Sequence, residues 1–365
     1  MNYFARIGVS DEAVQARIND AFQTIFFDPE EKFYHTVDQD SGCMEDTGNH
    51  DARTEGMSYG MMMAVQMDRK DIFDRLWCFS KRCMYLSEGP NAGYFAWSVQ
   101  LNGVHNSEGP APDGEEYYAM ALIFASHRWG DGEGIYAYSE EARAILRHMV
   151  HQAELTGGAP MMHPENHYIL FVPGSPYTDP SYHLPHFYEQ FALYADEGDR
   201  PFWAEAARAA REYIALSADP TAGLSPEYAE FDGTTRLQPW SKAPYYSDAY
   251  RVAENIALHQ LWCGRCDALS AVATHIQDFF HDQVDGVDYK CYNLDGTVAL
   301  DEPALHPVAI TSVLGAASIA SDSAYADDFL RRFWDTPLRR GNRRYYDNCL
   351  YFFCLLMLGG QYRIY

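Results

Sequence analysis

Positive charge is scarce in this chain. Lys and Arg together number 27 against 52 Asp and Glu, a formal net charge of −25. Attachment to a phosphate backbone is driven by Lys and Arg, so no nucleic-acid partner is expected, and a polyanionic sugar is disfavoured for the same reason. Long apolar runs are missing too. No stretch approaches the ~20 residues that a membrane-spanning helix needs, so no membrane partner is expected. The first thirty residues lack a basic leader followed by an apolar stretch, so no secretory signal is apparent. Cysteine is present but poorly arranged for metal. The Cys263-Gly-Arg-Cys266 pair looks like half a zinc site without a second close pair to complete it, so neither a metal nor another cofactor is expected. Several other cysteines fall on apolar helical faces, where a free thiol acts as a small hydrophobe. A reduced, cytoplasmic protein fits this pattern. No low-complexity tract or Pro/Gly/Ser linker divides the 365 residues, which predicts a single catalytic domain over 1–365.

What the chain does have is apolar and aromatic material. Hydrophobic residues make up 47% and aromatics 15%, with 27 tyrosines the largest aromatic share. A flat ring with one polar tip suits a packed core and a sugar-binding groove alike.

Helical periodicity dominates. Twelve helices are predicted near 10–27, 55–69, 71–87, 114–129, 139–154, 182–197, 200–216, 247–263, 267–282, 306–320, 323–334 and 347–358. Turn signals such as Gly89-Pro90-Asn91, Gly157-Gly158, Asp219-Pro220 and Gly341-Asn342 separate them. Short alternating pieces, 93–101 and 289–294, read as small strands in loops. The helices differ by parity. Even-numbered ones are apolar nearly all round, as in 57–67, 117–125 and 350–358, and such a helix must be buried on all sides. Odd-numbered ones carry charge on one face, as in 71–82, 140–147 and 201–211. The expected fold is all-α, an (α/α)6 barrel of about six inner and six outer helices.

In such a barrel the inner helices run one way, so their starts emerge at one end. Glu55, Asp113 and Asp248 open helices two, four and eight. Residues almost two hundred positions apart are thereby predicted to meet in one cleft, with Tyr182-His183, His306 and Tyr345-Tyr346 lining it. Paired carboxylates among aromatics suit acid–base cleavage of a glycosidic bond, where one acid protonates the leaving group and one base activates water. Each acid also has a structural reading. Asp113 with Glu116 forms a possible capping box, Ser247 is placed to cap ahead of Asp248, and Thr54 ahead of Glu55. A helix start lowers a carboxyl pKa, so a proton-holding acid there needs burial and a neighbouring anion to overcome that effect.

These residues carry a resemblance. The segments Arg53-Thr54-Glu55-Gly56-Met57-Ser58-Tyr59-Gly60, Asp113 to Leu122, Pro180-Ser181-Tyr182-His183-Leu184-Pro185, Tyr245 to Val252 and Arg344-Tyr345-Tyr346-Asp347 occur in order across nearly the whole chain. The chain resembles glycoside hydrolase family 8, inverting (α/α)6-barrel enzymes acting on β-1,4 glycans. Within it, Leu305-His306-Pro307 is similar to the segment that closes the cleft in the reducing-end xylose-releasing exo-oligoxylanases. Glu115 departs from the Asp found in many relatives, with little effect expected. The resemblance implies a xylo-oligosaccharide substrate, Glu55 as general acid, Asp248 as general base and Asp113 holding the sugar before the cut. Inversion requires the catalytic carboxyls to stand roughly 6.5–9.5 Å apart. Trp97, Tyr182, Trp240, Tyr246, Arg251, His306 and Tyr346 are expected on the substrate, Arg251 also as an ion-pair partner one turn beyond Asp248. His163 and His167 flank Pro164 and read as an ordinary loop. The alternatives are an endo-acting xylanase, glucanase or chitosanase, a sugar 2-epimerase on the same barrel, and a non-catalytic oligosaccharide-binding protein.

Overall fold

A computed structural model describes residues 1–365 and contains twelve α-helices. In chain order these are α1 (Asp11–Phe26), α2 (Thr54–Gln66), α3 (Lys70–Phe79), α4 (Pro112–Trp129), α5 (Tyr138–Thr156), α6 (Pro185–Tyr194), α7 (Arg200–Ser217), α8 (Arg251–Cys263), α9 (Asp267–Gln283), α10 (Pro307–Ala317), α11 (Ala326–Asp335) and α12 (Arg344–Leu358).

The even helices touch in succession, α2 to α4, α6, α8, α10 and α12, and α12 returns to α2. Each odd helix packs outside this ring. The result is an (α/α)6 barrel. Burial explains the arrangement. Every residue of α4 from Pro112 to Ala125 and of α12 from Tyr345 to Leu358 is buried, so these helices have no face left for water. Outer helices bury one stripe, Ala142, Ile145, Leu146 and Met149 on α5 and Trp203, Ala206, Ala207 and Ala210 on α7. One cluster of 103 buried hydrophobic residues runs through the whole ring.

Three antiparallel strand pairs decorate the loops: β1 (Tyr34–Thr36) with β2 (Gly42–Met44), β3 (Ala52–Arg53) with β4 (Ser98–Val99), and β5 (Cys291–Tyr292) with β6 (Val298–Leu300). β4 and β5 fall within the two alternating stretches. The other four lie outside those stretches.

Several helix starts differ from the sequence reading. Regular α6 begins at Pro185 rather than 182, because a residue preceding proline is disfavoured in helical geometry. Tyr182 closes a separate 3-10 turn, Pro180–Tyr182. Ser247–Tyr250 is likewise a 3-10 turn leading into α8, and Asp248 rides on it. α12 starts three residues early, so Tyr345 and Tyr346 lie inside its first turn. α3 ends at Phe79 and passes into a wider π-type turn, Ser80–Met84. No helix is long and apolar enough to cross a membrane.

Candidate active site

The three acids meet. α2, α4 and the turn before α8 deliver Glu55, Asp113 and Asp248 to one guanidinium, that of Arg251 in the first turn of α8. Its Nη1 lies 3.1 Å from Glu55 Oε2 and 3.0 Å from Asp113 Oδ2, and its Nη2 lies 3.3 Å from Asp248 Oδ1. Glu55 and Asp248 therefore approach different terminal nitrogens of one cation, which keeps them near each other yet apart. Arg251 Nη1 also donates to the Tyr59 hydroxyl at 3.1 Å. Tyr59 stands one turn beyond Glu55 on α2, and the Tyr345 hydroxyl donates to Glu55 Oε1 at 2.6 Å.

None of the three acids is used as a cap. Neither Arg53, Ala111 nor Tyr246, which precede the respective first turns, makes a side-chain cap bond. Asp113 Oδ1 accepts from the adjacent Gly114 amide at 3.0 Å. Glu116 accepts from the Tyr188 hydroxyl instead of reaching back to the helix start. The capping-box reading fails because both side chains are turned into the barrel, where stronger partners wait.

Three carboxyls around one cation leave an excess of negative charge in a buried place. Burial is the largest effect on Glu55 and pushes its carboxyl up to about 7; Arg251 opposes this, Asp113 and Asp248 add to it, and the Tyr345 bond lowers it. Asp113 is also raised, chiefly by burial, against the pull of Arg251. The penalty expected at a helix start is thus overcome by desolvation with neighbouring anions second. Asp248 is the most open of the three, its side chain 25% exposed against 15% for Glu55 and 9% for Asp113. Such a set can hold a proton on Glu55 near neutral pH while Asp248 faces water.

A cleft of about 310 Å³ opens over these acids, lined by Glu55, Asp113 and Asp248 with Arg53, Trp97, Phe171, Tyr182 and Tyr228 among its walls. Of the residues expected on substrate, Trp97 and Tyr182 line it. The Arg53 guanidinium covers the Trp97 ring at 5.2 Å. Tyr182 stacks on Phe171 with ring centres 6.1 Å apart. Arg251 lies behind the acids, only 4% exposed. Trp240 stands outside, 62% exposed, its indole N–H 3.4 Å from the Tyr228 hydroxyl. Tyr246 packs with Ala243 and Cys291 beneath Leu305. His306 Nδ1 meets Asp347 Oδ2 at 2.9 Å and its ring lies 4.7 Å from that of Tyr346, whose hydroxyl donates to the Ser247 carbonyl at 3.0 Å. Asp347 also receives Arg339 and the Ala309 amide, so the 305–307 segment is tied to α12.

Three features were missed in the sequence, and Tyr345, expected at the cleft, was not foreseen as a partner of Glu55. Tyr59 was noticed only as part of a motif; the i, i+4 spacing from Glu55 is a signal for it. Asp179 is fully buried, accepts the Ser181 amide at 2.7 Å and is raised well above the ordinary range by burial and Asp248. Glu227 is buried beside it. Glu115, the departure from the common Asp, is wholly buried and accepts the Phe95 amide at 2.9 Å, which makes it a brace for the 93–97 loop. His163 and His167 lie in a loop between bridged Met162 and Ile169. Cys263 and Cys266 are free thiols.

The family described as Glycosyl hydrolases family 8 matches residues 22–360. A protein of Halalkalibacterium halodurans named reducing end xylose-releasing exo-oligoxylanase is 51% identical over 366 residues, spanning 100% of this chain and 94% of that one. Rex8A of Paenibacillus barcinonensis, a reducing-end xylose-releasing exo-oligoxylanase, is 50% identical over 368 residues, spanning 100% and 96%. The solved structure of Rex8A complexed with xylose matches with a TM-score of 0.97 at 50% identity, covering 100% of this chain and 97% of that one.

Proposed function

Because this chain belongs to glycosyl hydrolase family 8, we propose that it releases xylose from the reducing end of short β-1,4-xylo-oligosaccharides with inversion. Glu55 is the general acid. It gives its proton to the glycosidic oxygen as the bond to the leaving xylose breaks. Asp248 is the general base, taking a proton from the water that attacks the opposite face of the sugar. Each turnover thus leaves Glu55 short of a proton and Asp248 with one, and solvent exchange restores both. Asp113 accepts a hydrogen bond from the sugar on the donor side of the cut. Trp97 and Tyr182 supply flat faces for sugar rings. His306, fixed by Asp347 and Arg339, reads the reducing-end hydroxyl. Arg251 binds all three carboxyls and opposes the rise that burial imposes on Glu55 and Asp113. The carrying observation is the single guanidinium shared by Glu55, Asp113 and Asp248, since a simple binding groove has no use for three carboxyls gathered on one cation. We read residues 1–365 as one catalytic domain, and the eight free cysteines support a cytoplasmic setting.

The test is a time course on xylotriose and on its reduced alditol, followed by NMR. The expected outcome is xylose plus xylobiose, the new xylobiose end appearing first as the α-anomer, with little cleavage of the alditol. Equal cleavage of both, or a spread of lengths from polymeric xylan, would replace the exo reading with an endo one. A β-anomer formed first would exclude inversion.

A further inference from the structure

No step of the reaction uses Arg53, although it lines the cleft two residues before the general acid. Its place is set by the strand pair beneath it. β3 and β4 align Ala52 with Val99 and Arg53 with Ser98, and the Thr54 amide donates to the Trp97 carbonyl at 3.0 Å. The backbone of Trp97 is thereby tied to the start of α2, which carries Glu55. Backbone bonds alone do not fix how the indole is turned.

Arg53 supplies a wall for that ring. Its guanidinium carbon stands 5.2 Å from the centre of the Trp97 ring, within the range of cation–π attraction. Two acids hold the guanidinium there. Arg53 Nε lies 3.1 Å from Asp51 Oδ1 and 3.2 Å from Asp46 Oδ2. Both acids are buried and are themselves anchored. Asp51 Oδ2 accepts from the Ser98 hydroxyl at 2.7 Å, and Asp46 accepts from the Gly48 amide at 2.8 Å and the Asn49 side-chain amide at 2.7 Å. A planar cation gripped at Nε by two anchored carboxylates keeps one orientation, which a compact ammonium on a flexible stem would not. With one face of the indole covered, a sugar can meet only the other face or the edge. We propose that Arg53 is a positioning residue for sugar binding, holding the Trp97 ring in the pose that the sugar meets.

The effect belongs to binding rather than to bond cleavage. A ring that becomes ordered only when the sugar arrives loses its rotamer freedom at that step, which weakens binding. A loss felt equally by bound substrate and transition state raises KM and leaves kcat alone. The inference rests on Trp97 being a platform for a sugar ring.

The experiment records kcat and KM on xylotriose for wild type, Arg53→Met, Arg53→Lys, Trp97→Ala, and each Arg53 variant combined with Trp97→Ala. Arg53→Met keeps a long side chain without the charge or the plane, so KM should rise about 3- to 10-fold with kcat within about twofold. Arg53→Lys keeps the charge without the plane and should recover part of that loss. Trp97→Ala should raise KM at least about tenfold. In that background Arg53→Met should move KM by less than about twofold, because the ring it acts through is gone. An equal rise in both backgrounds would mean that the guanidinium binds the sugar itself, and overturns the proposal. So does a fall in kcat without a rise in KM. If Arg53→Met does not fold, Arg53→Lys decides the matter by the same comparison of backgrounds. A wild-type KM in Trp97→Ala overturns the reading of Trp97 as a platform, whereas a raised KM there beside a wild-type KM in Arg53→Met overturns only the role of Arg53.

Discussion

At Glu55 one physical cause serves chemistry and opposes folding. The carboxyl holds its proton up to about pH 7 because burial makes the charged form costly. An unfolded chain releases that proton near 4.5, the ordinary value for Glu. The stability that neutral Glu55 allows is therefore complete below pH 4.5 and is lost as pH climbs through about 7. Glu55→Gln never ionises. Its unfolding free energy should equal that of wild type at pH 4.5 and exceed it by about 1–3 kcal/mol at pH 8, as read from urea unfolding at the two pH values. Its kcat on xylotriose should fall by about 10²–10⁴, the usual worth of a general acid. A Gln variant less stable than wild type at pH 8 would show that the ion pair with Arg251 outweighs burial. At this scale the sequence was informative where a residue stood at a predictable helix start. Glu55 and Asp113 sit there, and Asp248 one short turn earlier. Asp179 and Glu227 were not legible, because their position depends on the path of long loops across the cleft. Tyr345 was expected at the cleft, but its bond to Glu55 was not legible because it depends on the approach of α12 to α2.

Between elements, the meeting of α2 and α4 depends on a missing side chain. A Cβ at Gly114 would lie 2.4 Å from Thr54 Cβ and Oγ1 and 3.2 Å from the Thr54 carbonyl carbon. Glycine thus lets the first turns of the two helices close up, and those turns carry Asp113 and Glu55. Gly114→Ala should push them apart. The expected cost is ~1–3 kcal/mol of stability, as for other overpacked sites, with a loss of at least about tenfold in kcat because both carboxyls leave the Arg251 guanidinium. Circular dichroism melts alongside xylotriose kinetics check this. A melt shift with unchanged kcat would mean that α2 and α4 separate without moving the acids. The apolar stretch 117–125 signalled a buried helix, but close approach between two helices has no signature in either one alone. The parity of the helices was legible for a different reason: burial on all sides removes every polar face, and that is visible residue by residue.

Over the whole molecule, a ring of inner helices running one way separates chemistry from closure. The acids occupy the end where α2, α4 and α8 begin. The chain's last residues cross the opposite end, where those helices finish. Gln66 at the end of α2 exchanges bonds of 2.8 and 3.0 Å with the Arg363 backbone, and the Trp262 indole at the end of α8 donates to the Tyr362 carbonyl at 3.2 Å. The Tyr362 ring, 5% exposed, stacks on Phe353 at 5.6 Å and meets Trp262 edge-on at 5.5 Å. This strap joins helices that are far apart in sequence, so its worth is to the ring as a unit. Tyr362→Ala should lower the unfolding free energy by ~3–5 kcal/mol, the range for a buried aromatic ring, and should do so in a single cooperative transition. Well below the melting temperature its kcat and KM on xylotriose should stay within about twofold of wild type, since no first-turn acid feels the change. A loss of turnover matching the loss of stability would mean that the two ends of the barrel are mechanically coupled, and that the inner helices shift along their axes when the far end loosens.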